Sequence, residues 1–391
     1  TTREAMATNN NDKTLNVPHL RFPEFNGEWE KKRISEFCTL LKGTGISKDQ
    51  LSTNGNPCIL YGELYTKYKA EIINEVLSCT ELDANTLVKS KVNDVIIPCS
   101  GETAIDIATA RYVPFDDVLL GGDLNILRSN KVNGSFLAYQ LNGKRKYDIA
   151  RVAQGVSVVH LYGEHLKNIV ISLPVIEEQQ KISRLLHLLD ERIATQNKII
   201  EDLKKLKSAI SLKMLHSDSW KQFKIKDIAS IGRGRVISSV EISQQDNPLY
   251  PVYSSQTSNE GIMGYLDNFM FEGEYINWTT DGANAGTVFY RDGKFNCTNV
   301  CGLLKLGDEF DTYFVSLVLA EATKKYVSTN LANPKLMNNT MGSIQIRLPK
   351  LKEQKRISIA FRKLRELLEV HNSLLTEYSR LKQYLLSQMF I

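Results

Sequence analysis

This chain has no cysteines at metal-binding spacing. Its six cysteines, Cys38, Cys58, Cys79, Cys99, Cys297 and Cys301, form no Cys-x-x-Cys, and the Cys297/Cys301 pair has no histidine beside it. That pattern argues against a zinc site. No apolar run reaches the roughly 18 residues that suggest a membrane span. Thr1 to Asn16 are polar and lack the apolar core of a secretory signal. These absences predict reduced thiols in a cytoplasmic protein that does not engage a membrane, and residues 1–17 read as a disordered tail or expression remnant.

Catalytic signatures are missing as well. There is no phosphate-binding P-loop, and Gly43-Thr44-Gly45 and Gly232-Arg233-Gly234 are too short to mark a dinucleotide or methyl-donor fold. Asn333-Pro334 continues as Lys335-Leu336 rather than as the proline and aromatic residue of an amino-methyltransferase motif. Glu353-Gln354-Lys355 has the acid-x-lysine spacing of nucleases, but it falls in an expected helix with no acidic partner upstream in a strand. It reads as a solvated helix face. His160 and His165 are five apart, a poor spacing for metal ligation. Neither a catalytic residue nor a metal ligand is assigned.

What the chain does have is a duplication. Leu173, Pro174, Glu178, Gln179, Ile182 and Ser183 recur 175 residues later as Leu348, Pro349, Glu353, Gln354, Ile357 and Ser358. The match continues without a gap through Leu189 and Leu364, Leu206 and Leu381, to Met214 and Met389. Each copy follows a longer mixed segment that opens on a tryptophan, Trp29 or Trp220. Two halves of this kind predict two similar surfaces about an approximate two-fold axis, suited to a partner that itself has two halves.

From Glu177 to about Leu215 there is no proline or glycine, and apolar residues alternate in steps of three and four. With Ile182 as heptad position a, the expected pairing line runs through Ile182, Leu185, Leu189, Gln196, Leu203 and Leu206 on a helix of about 39 residues, or about 58 Å. Because 175 is 25 heptads, the second copy keeps register: Ile357, Leu364, Leu367, His371, Leu374 and Leu381. Two such helices related by a two-fold axis must pack antiparallel. Gln196 and His371 would then meet near the axis and fix register, unless both are merely solvated. Between Lys350 and Ile391, nine Lys and Arg face four Glu, which accounts for the whole formal charge of +5. Any nucleic-acid surface elsewhere must therefore be a local patch.

The segments around the helices carry short β-branched runs, including Val95 to Ile97, Val118 to Leu120, Val156 to Val159, Ile169 to Ile171, Val252-Tyr253 and Ile344 to Ile346. Turn signals such as Asn54-Gly55, Asn133-Gly134 and Asp281-Gly282 separate them. Phe136 to Leu141 and Tyr313 to Tyr326 read as helices. The expected architecture is α+β: globular domains at 18–176 and 218–350, and spacer helices at 177–217 and 351–391. The tryptophans are offset by 191 rather than 175, so the first domain is longer by 16 residues. Similar helices carrying dissimilar domains are what a fixed spacer with two exchangeable readers would look like.

Polar, aromatic and basic clusters fall in expected loops of both domains. The first has Lys42, Thr44, Lys48, Tyr61, Tyr65, Lys67, Ser100, Thr103, Arg145 and Lys146; the second has Arg233, Arg235, Tyr253, Ser255, Gln256, Thr257, Thr280 and Asn284. Arg and Lys hold phosphates or read guanine, Gln and Asn read adenine, and Ser, Thr and Tyr bridge either. Any one cluster alone is an ordinary solvated loop. Their presence in both halves favours DNA.

The chain resembles the specificity subunits of Type I restriction–modification systems. The resemblance is carried by Leu173-Pro174, Glu178-Gln179, Ile182 and Leu189-Asp190, by their second copy, and by Leu20-Arg21-Phe22-Pro23-Glu24-Phe25 leading to Trp29. The second copy departs at Arg365, where the first has Asp190. The resemblance implies two target-recognition domains held apart by an antiparallel helix pair, each reading one half of a bipartite, gapped sequence in double-stranded DNA. It also implies that the helices dock two methyltransferase subunits and that restriction or translocase subunits can join. Methyl transfer and cleavage would reside in those partners, so S-adenosylmethionine would be a cofactor of the methyltransferase and not of this chain. The alternatives are a coiled-coil scaffold without DNA function and a fused enzyme with an unrecognised catalytic centre.

Overall fold

The proline- and glycine-free stretches form two long helices, Ile176–Met214 and Leu351–Gln388. Each follows a Leu-Pro step and opens on acid, Glu177 and Glu178 in one and Glu353 in the other, where the helix dipole favours negative charge. The computed structural model describes residues 15–155, 158–328 and 333–391. Most of the tail expected at 1–17, and the start of the strand expected at Val156, lie outside the described residues. Asn16 is buried, and its carbonyl accepts the Trp29 N–H at 2.8 Å.

The chain divides into two compact units, residues 1–197 with 373–391, and residues 198–372. Each unit thus holds one α+β domain, the first half of the helix that follows it and the last half of the other helix. The helices are antiparallel. In the first unit Asp190 meets Lys382, while the earlier Ile182 shares a core with the later Met389. In the second, Ile357 and Phe361 share a core with Ile210, Met214 and Leu215.

The buried line along the helices differs from the one expected. At the a positions Ile182, Leu189, Gln196, Ile357 and Leu364 are buried, and Leu203 and His371 are half-buried. The other inward line is one residue further on, at Leu186, Ile200, Phe361 and Met389. The d positions face out, with Leu206, Leu367, Leu374 and Leu381 exposed and Leu185 only half-buried. Each helix packs on a globular domain as well as on another helix, so its buried face is wider than the narrow seam of an isolated coiled coil.

Both domains follow one plan. A two-stranded root joins Glu30–Arg33 to Val170–Leu173, and Lys221–Lys224 to Gln345–Leu348, antiparallel in each case. A four-stranded sheet follows in the order 39–42, 124–128, 94–98, 111–113 in the first domain, and 229–233, 301–306, 275–279, 288–291 in the second. A second sheet in each contains one parallel pair, Cys58-Ile59 on Leu119-Leu120 and Val252-Tyr253 on Asn296-Cys297. The domains therefore share the main sheet and the centre of the second, although their sequences align only loosely; the edge strand of the second sheet differs, and the first domain adds a short pair, Ser100-Gly101 with Val159-His160. Residues differ because packing is solved locally: in the second domain Trp278 is fully buried opposite Gly302, where any Cβ would strike the indole ring.

One expected turn is something else. Asn133-Gly134 starts the helix Gly134–Asn142, and the Asn133 side chain accepts the Phe136 N–H as its N-cap. Asp311 caps Thr312–Ala322 in the same way, through the Phe314 N–H. Asparagine and aspartate favour helix starts as strongly as turns, so sequence alone does not separate the two.

Candidate nucleic-acid interface

The duplicated residues of the helices act on these two caps. Gln179 accepts the Asn133 N–H at 2.9 Å and donates to the Pro174 carbonyl at 2.8 Å. Gln354 accepts the Asp311 N–H at 2.9 Å and donates to the Pro349 carbonyl at 2.8 Å. Ser183 reaches the Asn133 side chain, and Ser358 reaches that of Asp311. Behind each latch an indole edge meets a phenyl ring, Trp29 on Phe136 at 5.8 Å and Trp220 on Phe314 at 5.9 Å. The repeat thus encodes the same latch at the foot of each domain.

In the first domain Lys42 and Ser100 line one cleft of 340 Å³ together with His160, Tyr162 and Lys167. Ser100 hydrogen-bonds His160 Nδ1 at 3.2 Å, and Tyr162 stacks beside His160 and is exposed. The cleft is a place where an aromatic face, a cation and hydroxyl groups converge, the inventory that contacts phosphate and base edges. Asp123 and Glu164 also line it, and Glu164 pairs with Lys167 at 2.5 Å. His160, Tyr162 and Lys167 were not singled out for binding, because their proximity to Lys42 arises only through the sheet.

Other first-domain candidates are dispersed. Burial and then Tyr61, Glu102 and Asp106 push the Tyr65 hydroxyl up, which places these groups together. Thr103 caps Ala104–Ile107 through Asp106, and Thr44 accepts the Val88 N–H at 2.9 Å. Lys67 pairs with Glu63 at 2.6 Å, and Arg145 pairs with Asp148 and donates to the Ile391 carbonyl at 3.0 Å. Thr44, Thr103, Lys67 and Arg145 thus hold other parts of the fold. Lys48 is exposed and Lys146 half-buried.

The second domain shows the same mixture. Arg235 is exposed but is held by both carboxylate oxygens of Glu241, and Arg233 donates to Asn338 at 3.1 Å. Tyr253 lies under the Arg291 guanidinium at 3.6 Å, and burial is the leading reason its hydroxyl is pushed up. Gln256 closes its own loop on the Ile262 carbonyl, and Ser255 is half-buried beside it. Thr280 is buried and donates to the Val300 carbonyl at 2.9 Å, so its hydroxyl serves the fold. Thr257 and Asn284 are exposed, and exposed Lys335 joins the loop of Asn284 through its pairing with Asp281.

Burial pushes the Cys38 thiol up to about 12 and those of Cys58 and Cys99 up to about 11. Neutral thiols are poor nucleophiles and poor metal ligands. Among the described residues no three His, Cys, Asp or Glu side chains group as a metal site requires, and no helix is long and apolar enough to cross a membrane.

One α+β domain built twice, latched each time to a long helix by the same Gln and Ser, defines an internally duplicated recognition subunit. The model of the Type I restriction modification DNA specificity domain matches residues 26–205 and again 217–378. A Mycoplasma pneumoniae protein named as the N-terminus of a type I specificity subunit is 46% identical over 140 residues, 35% of this chain and 74% of that protein. Another protein of the same organism, named as a type I specificity subunit, is 35% identical over 206 residues, 51% of this chain and 85% of that protein. The crystal structure of the Type I restriction–modification S subunit from M. genitalium shares the fold with a TM-score of 0.72 at 17% identity, covering 96% of this chain and 99% of that one. The chain belongs to the type I restriction–modification DNA specificity family, and its two domains are DNA-recognition domains.

Proposed function

We propose that each domain reads one half of a bipartite target in double-stranded DNA, with an unread gap between the halves. The observation that carries this reading is the double latch: two domains with the same main sheet are mounted by the same Gln and Ser while their loops differ. The leading contacts are Lys42, Ser100, Tyr162 and Lys167 in the first domain, and Arg233, Thr257, Asn284 and Lys335 in the second. Arg235 would join them only after release from Glu241.

The partners are two methyltransferase subunits, to which restriction or translocase subunits add. The exposed Leu374, Leu381 and Tyr384 of the second long helix, all in the first unit, support docking there, since an apolar line left in solvent marks an interaction surface. The chain itself is non-catalytic. S-adenosylmethionine binds the methyltransferase partner, and the complex works in the cytoplasm. Mapping methylated sites by single-molecule sequencing, in cells with and without this chain, tests the reading. The expected result is a gapped two-part motif that vanishes without the chain; a single continuous motif overturns it.

A further inference from the structure

The two mounts differ in one respect. In the first unit the segment before Trp29 lies across the start of the helix. Arg21 grips Glu178 with two hydrogen bonds of 2.8 Å and also donates to the Gly27 and Asn26 carbonyls. Phe22 sits under the Lys181 ammonium, 4.5 Å from its ring centroid, and Glu24 pairs with the same lysine. A turn closed by the Phe25 N–H on the Phe22 carbonyl at 3.1 Å brings the two charges back to one helix face, with Pro23 at the turn position that favours it. Under this cover Trp29 is 2% exposed and Glu178 is fully buried.

The second unit has the same helix face without the cover. Its chain runs from Met214 to Trp220 directly, and no counterpart of Leu20–Phe25 precedes the tryptophan. Glu353 stands where Glu178 does and Arg356 where Lys181 does, each 175 residues on. Both are exposed, and among the described residues neither has an ion-pair partner. Trp220 is only half-buried. It lines a groove of 590 Å³ with Phe310, Pro349, Glu353 and Gln354.

We propose that this groove is a docking site for a peptide segment of a partner protein that presents arginine, an aromatic residue, proline and an acid in that order. The arginine would lie on Glu353, the aromatic ring against Arg356 and beside Trp220, and the acid on Arg356. The filled groove of the first unit is the template, and both charges of the template find their complement in the second. In the first unit the chain's own segment is tethered, so its high effective concentration keeps a free peptide out.

The test is a labelled synthetic peptide with the sequence of residues 18–27, titrated into the full chain and followed by fluorescence anisotropy. One saturable site is expected. Arg21→Ala in the peptide, or Glu353→Gln in the chain, weakens binding about tenfold or more, as loss of a charged hydrogen-bond pair does. An Arg21→Glu peptide binds a Glu353→Arg chain better than it binds the unaltered chain. Absence of saturable binding, or equal binding to the Glu353→Gln chain, overturns the proposal. Self-association of the chain in sedimentation that is lost on Glu353→Gln would assign the groove to a second copy and overturn the choice of a separate partner.

Discussion

Replacing Lys382 by methionine is expected to destabilise the first unit by about 3–5 kcal/mol, the usual cost of leaving a buried charge without its partner. Lys382 reaches from the second long helix into a charged cluster. Its ammonium is 2.6 Å from Asp190 and also contacts Glu71. Tyr139 donates to the other Asp190 oxygen at 2.6 Å, and Arg111 is buried nearby. Burial opposes the charge of Lys382, but Glu71 and Asp190 outweigh it and raise its pKa. The Tyr139 hydroxyl is pushed up by burial and then by Asp190, so it stays a donor.

Without Lys382, two carboxylates face one buried guanidinium. At about 2–4 °C per kcal/mol for a unit of this size, scanning calorimetry should show a fall on the order of 10 °C in the transition of the first unit. The counterpart in the other copy is the exposed Lys207, and the position matching Asp190 is Arg365, which pairs with Glu369 and lies over the Tyr313 ring. Lys207→Met should therefore change stability by no more than about 0.5 kcal/mol. A similar loss from both variants would refute the assignment of this cluster. The departure of Arg365 from the repeat also has its reason here, since only the first unit supplies a buried lysine and tyrosine to an acid at that site.

The second large effect concerns the latch. Gln354→Ala removes the acceptor of the Asp311 N–H and the donor to the Pro349 carbonyl, both beside a side chain that is 1% exposed. An orphaned buried group costs about 1–3 kcal/mol, and Asp311 is only half-buried, so its N–H falls at about 1; the helix Thr312–Ala322 should open more easily by about 2–4 kcal/mol. Native-state hydrogen exchange at residues 312–322 should speed up roughly 30- to 1000-fold, while residues 134–142 keep their protection. Gln179→Ala should give the mirror result. Uniform acceleration in both helices would mean that the latches are not local.

The long helices and their duplication were legible in the sequence because periodicity and the lack of Pro and Gly act locally. The partners of the duplicated residues were not legible. Gln179 meets Asn133 from 46 residues away, and nothing local distinguishes a capping asparagine from a turn. The outward placement of Leu206, Leu367, Leu374 and Leu381 was missed because a heptad count assumes one packing partner, and each helix here has two. The common strand order of the two main sheets was hidden because burial, and not residue identity, is what both sequences satisfy. Among the candidate contacts, Arg235 was misleading for a local reason: Glu241, six residues on, claims its guanidinium.

The central claim is that the two domains read DNA independently from mounts that share one Gln and Ser latch. Exchanging residues 220–349 for the corresponding domain of another specificity subunit, with the long helices left intact, tests this most directly when methylated sites are mapped across the genome. The account predicts that one half of the recognised sequence changes while the other half stays as it was. A motif altered in both halves, or unaltered in either, would contradict it.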